Sequence, residues 1–301
     1  MSEKYSIPEI QKMANNIRRR ILTLTIDRKG GYLSQACSSA DTITALYTRI
    51  MNLSPSEGPA IPPKFPGVPG PTNMDYPTGA AYNGSTKAPY DRLIFSPAHY
   101  AVVVYSALVE SGRMSPESID NFNIDGSTLE MIGAEHSPGF ECTTGSLAQA
   151  ISVAGGIALA RKLKGEEGRI FTYMSDGEFQ EGQTWEALQA ASFYKLDNLA
   201  IIVDVNGQQL DGYTKDVMNI EPLASRCEAF GTRVFSVDGH DLEAIIKAAE
   251  PANDGKPLVI LTYTNSSQGI PMLEERKPFL HYVRFKSDEE EQKYIDFLNQ
   301  M

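Results

Sequence analysis

Two short polar turns carry residue types that could hold a cation and an anion together. Asp176 and Gly177 end the apolar stretch 169–175, and Asn206 and Gly207 follow the apolar stretch 198–205. Carboxylate and amide oxygens are hard ligands that suit Mg²⁺ or Ca²⁺, and Mg²⁺ is commonly shared with phosphate oxygens. The glycines let the backbone approach an anion closely. The same residues are also common turn formers at strand ends, so their spacing alone leaves both interpretations open.

The two turns can meet only if the strands before them lie side by side. Five short apolar runs alternate with helical stretches along the chain, at 92–95, 169–175, 198–205, 233–237 and 258–263. This alternation predicts an α/β fold, a parallel sheet with helices on both faces. A strand–helix–strand unit returns the chain to the same edge of the sheet, so we expect Asp176 and Asn206 to meet there. Ligands of such sheets bind beyond the carboxyl ends of the strands.

Helical periodicity and capping signals predict the covering elements. Ser6 and Glu9 form a capping-box pattern at the start of a helix that runs to residue 26. Further helices are predicted at 38–52, 97–112, 146–164, 180–195, 240–250 and in the acidic tail. Residues 53–90 hold nine of the eighteen prolines and are expected to form a long loop without regular structure.

Composition limits the class of protein and of partner. The 301 residues are 42% apolar and 22% charged, which excludes a linker or a fibre. A net charge of −11 argues against nucleic acid as a partner, although one pocket can still bind a phosphorylated small molecule. Three scattered cysteines predict a reducing compartment. With no signal peptide and no membrane-length apolar run, we expect a cytoplasmic protein that makes no contact with a membrane.

An ordered series of motifs resembles the transketolase family. The longest is SDGEFQEGQTWEALQAASFYKLDNLAIIVDVNGQQLDG (175–212), and SPAH (96–99), CTTGSLAQA (142–150) and VDGHD (237–241) stand in the family's order around it. The resemblance identifies the chain as the N-terminal, diphosphate-binding half of a transketolase, which is a separate subunit in split members of the family. It implies the thiamine-diphosphate-binding fold, with 1–301 as a single diphosphate-binding (PP-type) domain.

The resemblance also implies a cofactor and a metal site. The side chains of Asp176 and Asn206 and the backbone carbonyl of Gln208 would bind Mg²⁺ (or Ca²⁺). The residues implied for thiamine diphosphate are Thr144, Gly145, Ser146, Leu147, Asp176, Gly177 and Asn206. A turn at 145–147 in front of a helix suits an anion, because the first N–H groups of a helix are free.

Catalytic roles are implied for three histidines and two glutamates. His99 and His136 match family histidines near the diphosphate and the donor hydroxyls, and His281 falls where the family has a histidine, although its flanks differ. Glu181 and Glu186 match acidic residues that couple two cofactors at the dimer centre. In contrast, we expect His240 to be an ordinary structural residue, with Asp238 and Asp241 as helix caps.

The chain departs from the family pattern in several places. Ser175 replaces the first glycine of the usual GDG, and Tyr32 or its neighbours occupy the place of a GHPG histidine. The usual lysine-bearing KGKG string is replaced by NSSQG (265–269), and the loop 53–90 is longer than the family's connection. These changes concern the sugar-facing part, so they bear on the substrate more than on the cofactor.

The resemblance implies transfer of a two-carbon ketol unit from a ketose donor to an aldose acceptor. In the family, the glutamate that activates the aminopyrimidine comes from a pyrimidine domain of the other protomer. We therefore expect a partner subunit that carries this domain, and an α2β2 assembly. Two other interpretations stay open: the α subunit of a 2-oxo acid dehydrogenase, and a non-catalytic cofactor-binding scaffold. The substrates stay open as well, and deoxy or sulfonated sugar phosphates are included.

Overall fold

The computed structural model describes residues 5–74, 76 and 78–301 and has a parallel sheet at its centre. In chain order the strands are β1 (Arg92–Phe95), β2 (Ile170–Ser175), β3 (Leu199–Val205), β4 (Gln208–Gln209), β5 (Gly212–Tyr213), β6 (Arg233–Asp238) and β7 (Leu258–Tyr263). The order across the main sheet is β1-β2-β3-β7-β6, and every neighbouring pair is parallel. Strands β4 and β5 form a separate antiparallel hairpin directly after β3.

Nine α-helices of the described residues surround the sheet. They are α1 (Ile7–Asp27), α2 (Leu33–Ala45), α3 (Ala101–Glu110), α4 (Ala150–Lys164), α5 (Gly182–Phe193), α6 (Thr214–Val217), α7 (Leu223–Ala229), α8 (Leu242–Ala248) and α9 (Asp288–Leu298). The predicted capping box at the start of α1 is present, and the backbone N–H of Ser6 donates to Glu9 Oε2 over 2.7 Å. Within the described ranges, no helix is both long and apolar enough to cross a bilayer.

Apolar side chains of the sheet alternate between two hydrophobic clusters, one on each face. Along β3, Ala200 and Ile202 pack with α1, α2 and α3. Their neighbours Ile201 and Val203 pack on the other face with α4 and α5. The predicted parallel sheet with helices on both faces is therefore confirmed.

Helix α2 begins five residues earlier than predicted. The prediction placed a helix at 38–52, whereas α2 runs from Leu33 to Ala45 and continues as one π-helical turn to Ile50. Every residue of α2 is buried, so no apolar periodicity marks its start. Its first turn is held by distant backbone, because Ser34 Oγ donates to the Leu280 carbonyl over 2.8 Å.

Helix α4 begins four residues later than predicted, at Ala150 instead of residue 146. Ala148 has a φ of +64°, and this left-handed conformation interrupts the helical path. Helices α3 and α5 are also shorter than predicted, because 3₁₀ turns at Ala98–Tyr100 and Asp176–Gln180 precede them.

The proline-rich loop 53–90 contains no strand and no α-helix among its described residues. It contains one 3₁₀ turn, Gly79–Asn83, which the prediction of no regular structure missed. Backbone hydrogen bonds tie it down, including Phe65 N–H to the Gly126 carbonyl over 2.8 Å. Asp75 and Pro77 of this loop lie outside the described residues.

Candidate functional site

A cavity of about 370 Å³ opens at the carboxyl edge of the parallel sheet. Turns that follow three adjacent strands contribute to its wall: His99 after β1, Gly177 after β2 and Asn206 after β3. The edge of the sheet is where a parallel α/β fold places its ligands. A second cavity, of about 640 Å³, shares Asn206 and Gln208 with the first.

Asp176 joins the turns after β2 and β3. It is 1% exposed, and its Oδ2 accepts hydrogen bonds from the backbone N–H of Gly207 (2.9 Å) and from Thr214 Oγ1 (3.2 Å). Asp176 and Asn206 both line the second cavity. The two residues therefore come together at one sheet edge, as the strand–helix–strand argument predicts.

The amide of Asn206 is held in one orientation. Its Nδ2 donates to Tyr100 OH over 3.1 Å and to Asp204 Oδ2 over 3.0 Å. Its Oδ1 accepts from the backbone N–H of Gln208 over 2.9 Å. Because the neighbours of Nδ2 are a carboxylate and a phenol, the amide oxygen is directed toward the hairpin β4–β5.

Asp204 is the buried anchor of this arrangement, and it was not among the predicted site residues. It accepts hydrogen bonds from Ser38 Oγ (2.6 Å), Thr264 Oγ1 (2.6 Å) and Tyr100 OH (2.8 Å). It was detectable in the sequence, since it is the one charged residue in the otherwise apolar strand β3.

The electrostatics of the turn suit a cation. Burial, followed by the nearby charge of Asp204, raises the pKa of Asp176 to about 7, against the hydrogen bonds from Gly207 and Thr214. The buried Oε1 of Gln208 has no hydrogen-bond partner. No three His, Cys, Asp or Glu side chains in the described part of the chain are grouped to hold a metal. A metal ion here would therefore combine Asp176 with amide, carbonyl and ligand oxygens, a donor set suited to Mg²⁺ or Ca²⁺.

The two glycines of the turns leave room for a ligand. A Cβ on Gly207 would meet nothing within 4 Å, and one on Gly177 would only reach Gln209 Cβ at 3.7 Å. Gly207 has a φ of +68°, which favours glycine. The N–H of Gly177 donates to Asp176 Oδ1 over 2.9 Å, so this N–H is already hydrogen-bonded within the turn.

The loop 144–149 contributes only part of the predicted cofactor-binding set. Gly145 and Leu147 line the first cavity. Thr144 is buried and donates to the Phe95 carbonyl over 2.6 Å, and exposed Ser146 is not part of the cavity wall. Since α4 begins only at Ala150, the expected helix N-terminus does not directly follow residues 145–147.

Tyr32, His99 and His281 form an aromatic cluster at the wall of the cavity. The ring centroids of Tyr32 lie 5.3 Å from His99 and 5.5 Å from His281, and the two histidines are 4.9 Å apart. An antiparallel bridge between Gly31 and Val283, with two hydrogen bonds of 2.9 Å, joins the segments that carry Tyr32 and His281.

The two histidines of this cluster are neutral near pH 7. Burial, followed by the proximity of His281, lowers the pKa of His99 to about 3. Burial also lowers the pKa of His281, and burial followed by Tyr282 raises the pKa of Tyr32. Each of the three side chains can therefore donate and accept hydrogen bonds without carrying a charge.

His136 lies outside this cavity, contrary to the expected place near the diphosphate and the donor hydroxyls. Its ring nitrogens lie 2.9 Å from Tyr76 OH and 2.8 Å from Glu130 Oε2, and its ring lies 4.3 Å from that of Phe65. Nδ1 thus contacts the proline-rich loop through Tyr76, whereas Nε2 contacts Glu130 outside that loop. The cavity wall contains Ile132 from this segment instead.

The remaining predicted residues separate into exposed and structural groups. Glu181 lines the mouth of the cavity, and Glu186 lies on α5; both are exposed. His240 is structural, as predicted, with Nδ1 2.8 Å from Asp41 Oδ2 and Nε2 accepting the N–H of Asn265 over 2.9 Å. Asp241 caps α8 through a 3.0 Å hydrogen bond from Ala244 N–H, also as predicted.

Sequence reasoning missed several further residues of the cavity wall. They are Gln35, Tyr100, Ile132, Gln180, Leu210 and Ser266. Gln180 and Leu210 lie in the 175–212 string, and Ser266 lies in the NSSQG departure. Gln35, Tyr100 and Ile132 lie in none of the motifs that carry the resemblance.

Replacing His99 with Gln should make the stability of the protein less dependent on pH. The pKa of His99 is about 3 in the native chain, against about 6.5 in the unfolded chain. Between these values the unfolded chain binds a proton that the native chain does not, so stability falls as the pH falls. From pH 7.5 to pH 5, the wild-type protein should lose about 1–2 kcal/mol more than the variant. Urea unfolding across this range measures the difference, and equal losses would contradict the assignment of a neutral His99.

Comparison with known proteins gives a consistent match. The family described as "Transketolase, thiamine diphosphate binding domain" matches residues 80–293. An apulose-4-phosphate transketolase subunit of Actinobacillus succinogenes is 33% identical over 289 residues, which are 95% of this chain and 95% of that protein. The 6-deoxy-6-sulfo-D-fructose transketolase subunit SqwG of a Clostridium species is 34% identical over 268 residues, 87% of this chain and 86% of that protein.

A solved structure extends the match to the fold. The transketolase of Campylobacter jejuni superposes with a TM-score of 0.77 at 26% identity and covers 98% of this chain. The match covers 43% of that protein, so the chain spans less than half the length of this solved relative. The chain belongs to the transketolase family and has the family's α/β thiamine-diphosphate-binding fold.

Proposed function

We propose that this chain is the diphosphate-binding, N-terminal subunit of a split transketolase that uses thiamine diphosphate and a divalent metal ion. The assembled enzyme would transfer a two-carbon ketol unit from a ketose donor to an aldose acceptor. The observation that carries the proposal is the pairing of buried Asp176 with Asn206 beside a cavity that two neutral histidines line. A thiamine diphosphate–Mg²⁺ complex would place its cation at this carboxylate and its anion at the adjacent glycine turns.

The metal, Mg²⁺ or Ca²⁺, would be held by Asp176, the side chain of Asn206 and the backbone carbonyl of Gln208. Asp204 and Tyr100 orient the amide of Asn206, so its oxygen could bind the metal without a change of side-chain rotamer. When bound, thiamine diphosphate would supply a thiazolium carbon that acts as a nucleophile and an electron sink. Gly177 and the segment Gly145–Leu147, which includes exposed Ser146, would border its diphosphate, and buried Thr144 would anchor that segment through the Phe95 carbonyl.

The neutral imidazoles of His99 and His281 would bind the hydroxyl groups of the donor sugar. A neutral imidazole offers one donor and one acceptor, so it can align a hydroxyl group without carrying a charge. Tyr32 packs against both rings and fixes their tilt. His136 supports the neighbouring loop and has no direct part in this proposal.

A partner subunit with a pyrimidine-binding domain would complete the site. Two relatives are named as subunits of transketolases, and this chain spans 43% of a solved one. Exposed Glu181 and Glu186 lie beside the cavity mouth and on α5, where a second copy would bring their counterparts close. A two-fold contact between copies of this chain, each joined to one partner, gives the proposed α2β2 assembly. Its cytoplasmic location stays a prediction.

The cavity wall favours a polar, uncharged segment of the substrate. Among the described residues, neither Lys nor Arg contributes to the wall of the first cavity. We therefore propose that this chain binds the hydroxyl-bearing carbons, and that the partner binds the anionic end of the sugar. The names of the relatives make a ketose phosphate or a deoxy, sulfonated ketose the substrate classes to test first.

Two other functions are weaker. The family match is to transketolase, which disfavours the α subunit of a 2-oxo acid dehydrogenase. A non-catalytic scaffold that binds the cofactor would need Asp176, but it would not need the neutral histidines His99 and His281 in the cavity wall. Binding of the cofactor alone would not separate a scaffold from an enzyme, whereas turnover with the partner would.

Asp176→Asn should abolish magnesium-dependent binding of thiamine diphosphate while the chain stays folded. The variant removes the anionic ligand but keeps a side chain of the same shape. Its melting temperature should change little, because removing a charge that burial and Asp204 disfavour offsets the loss of an acceptor for the backbone N–H of Gly177 or Gly207. Calorimetry with thiamine diphosphate and MgCl₂ on the complex with the partner measures the affinity. Asp216→Asn, an exposed residue of α6, is the matched control. Unchanged affinity of Asp176→Asn would refute the metal site.

Ketol transfer should require both subunits. The purified chain, supplied with thiamine diphosphate, Mg²⁺ and a panel of ketoses and aldoses, should be inactive. Addition of the pyrimidine-domain subunit should restore turnover, and native mass spectrometry of the co-expressed pair should show two copies of each. Turnover by this chain alone, free of any partner, would overturn the proposal of a split enzyme.

A further inference from the structure

Glu178 is a fully buried carboxylate that the proposed function does not use. It is 0% exposed and lies two residues after Asp176, in the 3₁₀ turn that follows β2. Four neutral donors fill its acceptor sites: the hydroxyls of Ser96 and Ser175, and the backbone N–H groups of Ala148 and Ser175. These donors belong to the ends of β1 and β2 and to the loop before α4, so one carboxylate joins three walls of the cavity.

A capping role explains only half of these contacts. Ser175 and Glu178 form a capping box, in which Oε2 accepts the Ser175 N–H over 2.8 Å. The other oxygen, Oε1, accepts the Ala148 N–H over 2.8 Å and a hydrogen bond from Ser96. The contact with Ala148 reaches across 30 positions of sequence and does nothing for the local turn.

Ala148 is the residue that needs such a contact. It is fully buried and has a φ of +64°, a left-handed conformation that is sterically unfavourable for a residue with a Cβ. The residue before it, Leu147, is 39% exposed and lines the cavity. The left-handed turn at Ala148 therefore ends the loop, delays the start of α4, and presents an apolar side chain to the ligand.

We propose that Glu178 is a positioning residue that holds Ala148 in its left-handed conformation and so sets Leu147 and Gly145 in the cavity wall for the cofactor. The cofactor part of this inference rests on the proposed function, while the part about the loop does not. Backbone strain of this kind persists where surrounding contacts determine it, and it is concentrated at binding sites.

The test combines removal of the carboxylate with relief of the strain. Glu178→Met removes both acceptors at similar volume, and Ala148→Gly lets residue 148 adopt a positive φ without help. Glu167→Met, the same change at an exposed position, is the control. Hydrogen exchange of the Ala148 amide is measured on the chain without ligand. Affinity for thiamine diphosphate with MgCl₂ is measured by calorimetry on the chain with its partner.

In Glu178→Met, the Ala148 amide should exchange about 10–100-fold faster, and the affinity should fall by about tenfold or more. Adding Ala148→Gly should recover most of the affinity, which a general loss of packing would not do. If Glu178→Met does not fold, Glu178→Gln replaces it, because the amide keeps one acceptor. The increase in the exchange rate of the Ala148 amide and the loss of affinity should then be smaller.

Unchanged exchange at Ala148, or a loss of affinity that Ala148→Gly does not recover, would overturn the positioning role. A wild-type complex that does not bind thiamine diphosphate would refute the proposed function instead, and the exchange measurement would still decide the role of Glu178 in the loop.

Discussion

Two buried carboxylates stand at the carboxyl ends of adjacent parallel strands, and the rest of the site depends on how their charge is compensated. Asp204 pairs in register with Ser175, the residue before Asp176. Backbone N–H groups, hydroxyls and one amide surround the two carboxylates, and none of these donors carries a charge. Burial, followed by the like charge of Asp204, disfavours ionisation of Asp176 and raises its pKa. A divalent cation would remove this cost, so the turn is arranged for a ligand more than for stability.

The groups that donate hydrogen bonds to Asp204 come from several layers of the fold and connect the site to them. Asp204 accepts from Ser38 in α2, Tyr100 after β1 and Thr264 after β7. Helix α2 in turn holds the segment with His281, since Gln35 Nε2 donates to the His281 carbonyl over 2.9 Å. The turn with Asn206 and the aromatic cluster are therefore both held by one buried helix, and a change in its packing would move both.

The parts predicted from sequence are those governed by local or short-range rules. Apolar strand runs predicted the parallel sheet, and the strand–helix–strand rule brought Asp176 and Asn206 together. The predicted start of α4 was wrong because it depends on Ala148, whose N–H is held by Glu178 thirty positions away. The structure has His136 outside the wall of the first cavity, because its partners Phe65 and Tyr76 come from a loop that no periodicity describes.

The central claim is that Asp176, Asn206 and the Gln208 carbonyl bind a divalent metal together with thiamine diphosphate. Anomalous diffraction from crystals of the chain with its partner, grown with thiamine diphosphate and MnCl₂, tests it most directly, because Mn²⁺ accepts the same oxygen ligands as Mg²⁺. We expect one strong anomalous peak within roughly 2.0–2.6 Å of an Asp176 oxygen, Asn206 Oδ1 and the Gln208 carbonyl. Bound thiamine diphosphate with no peak between these residues, or with its metal elsewhere, would contradict the account.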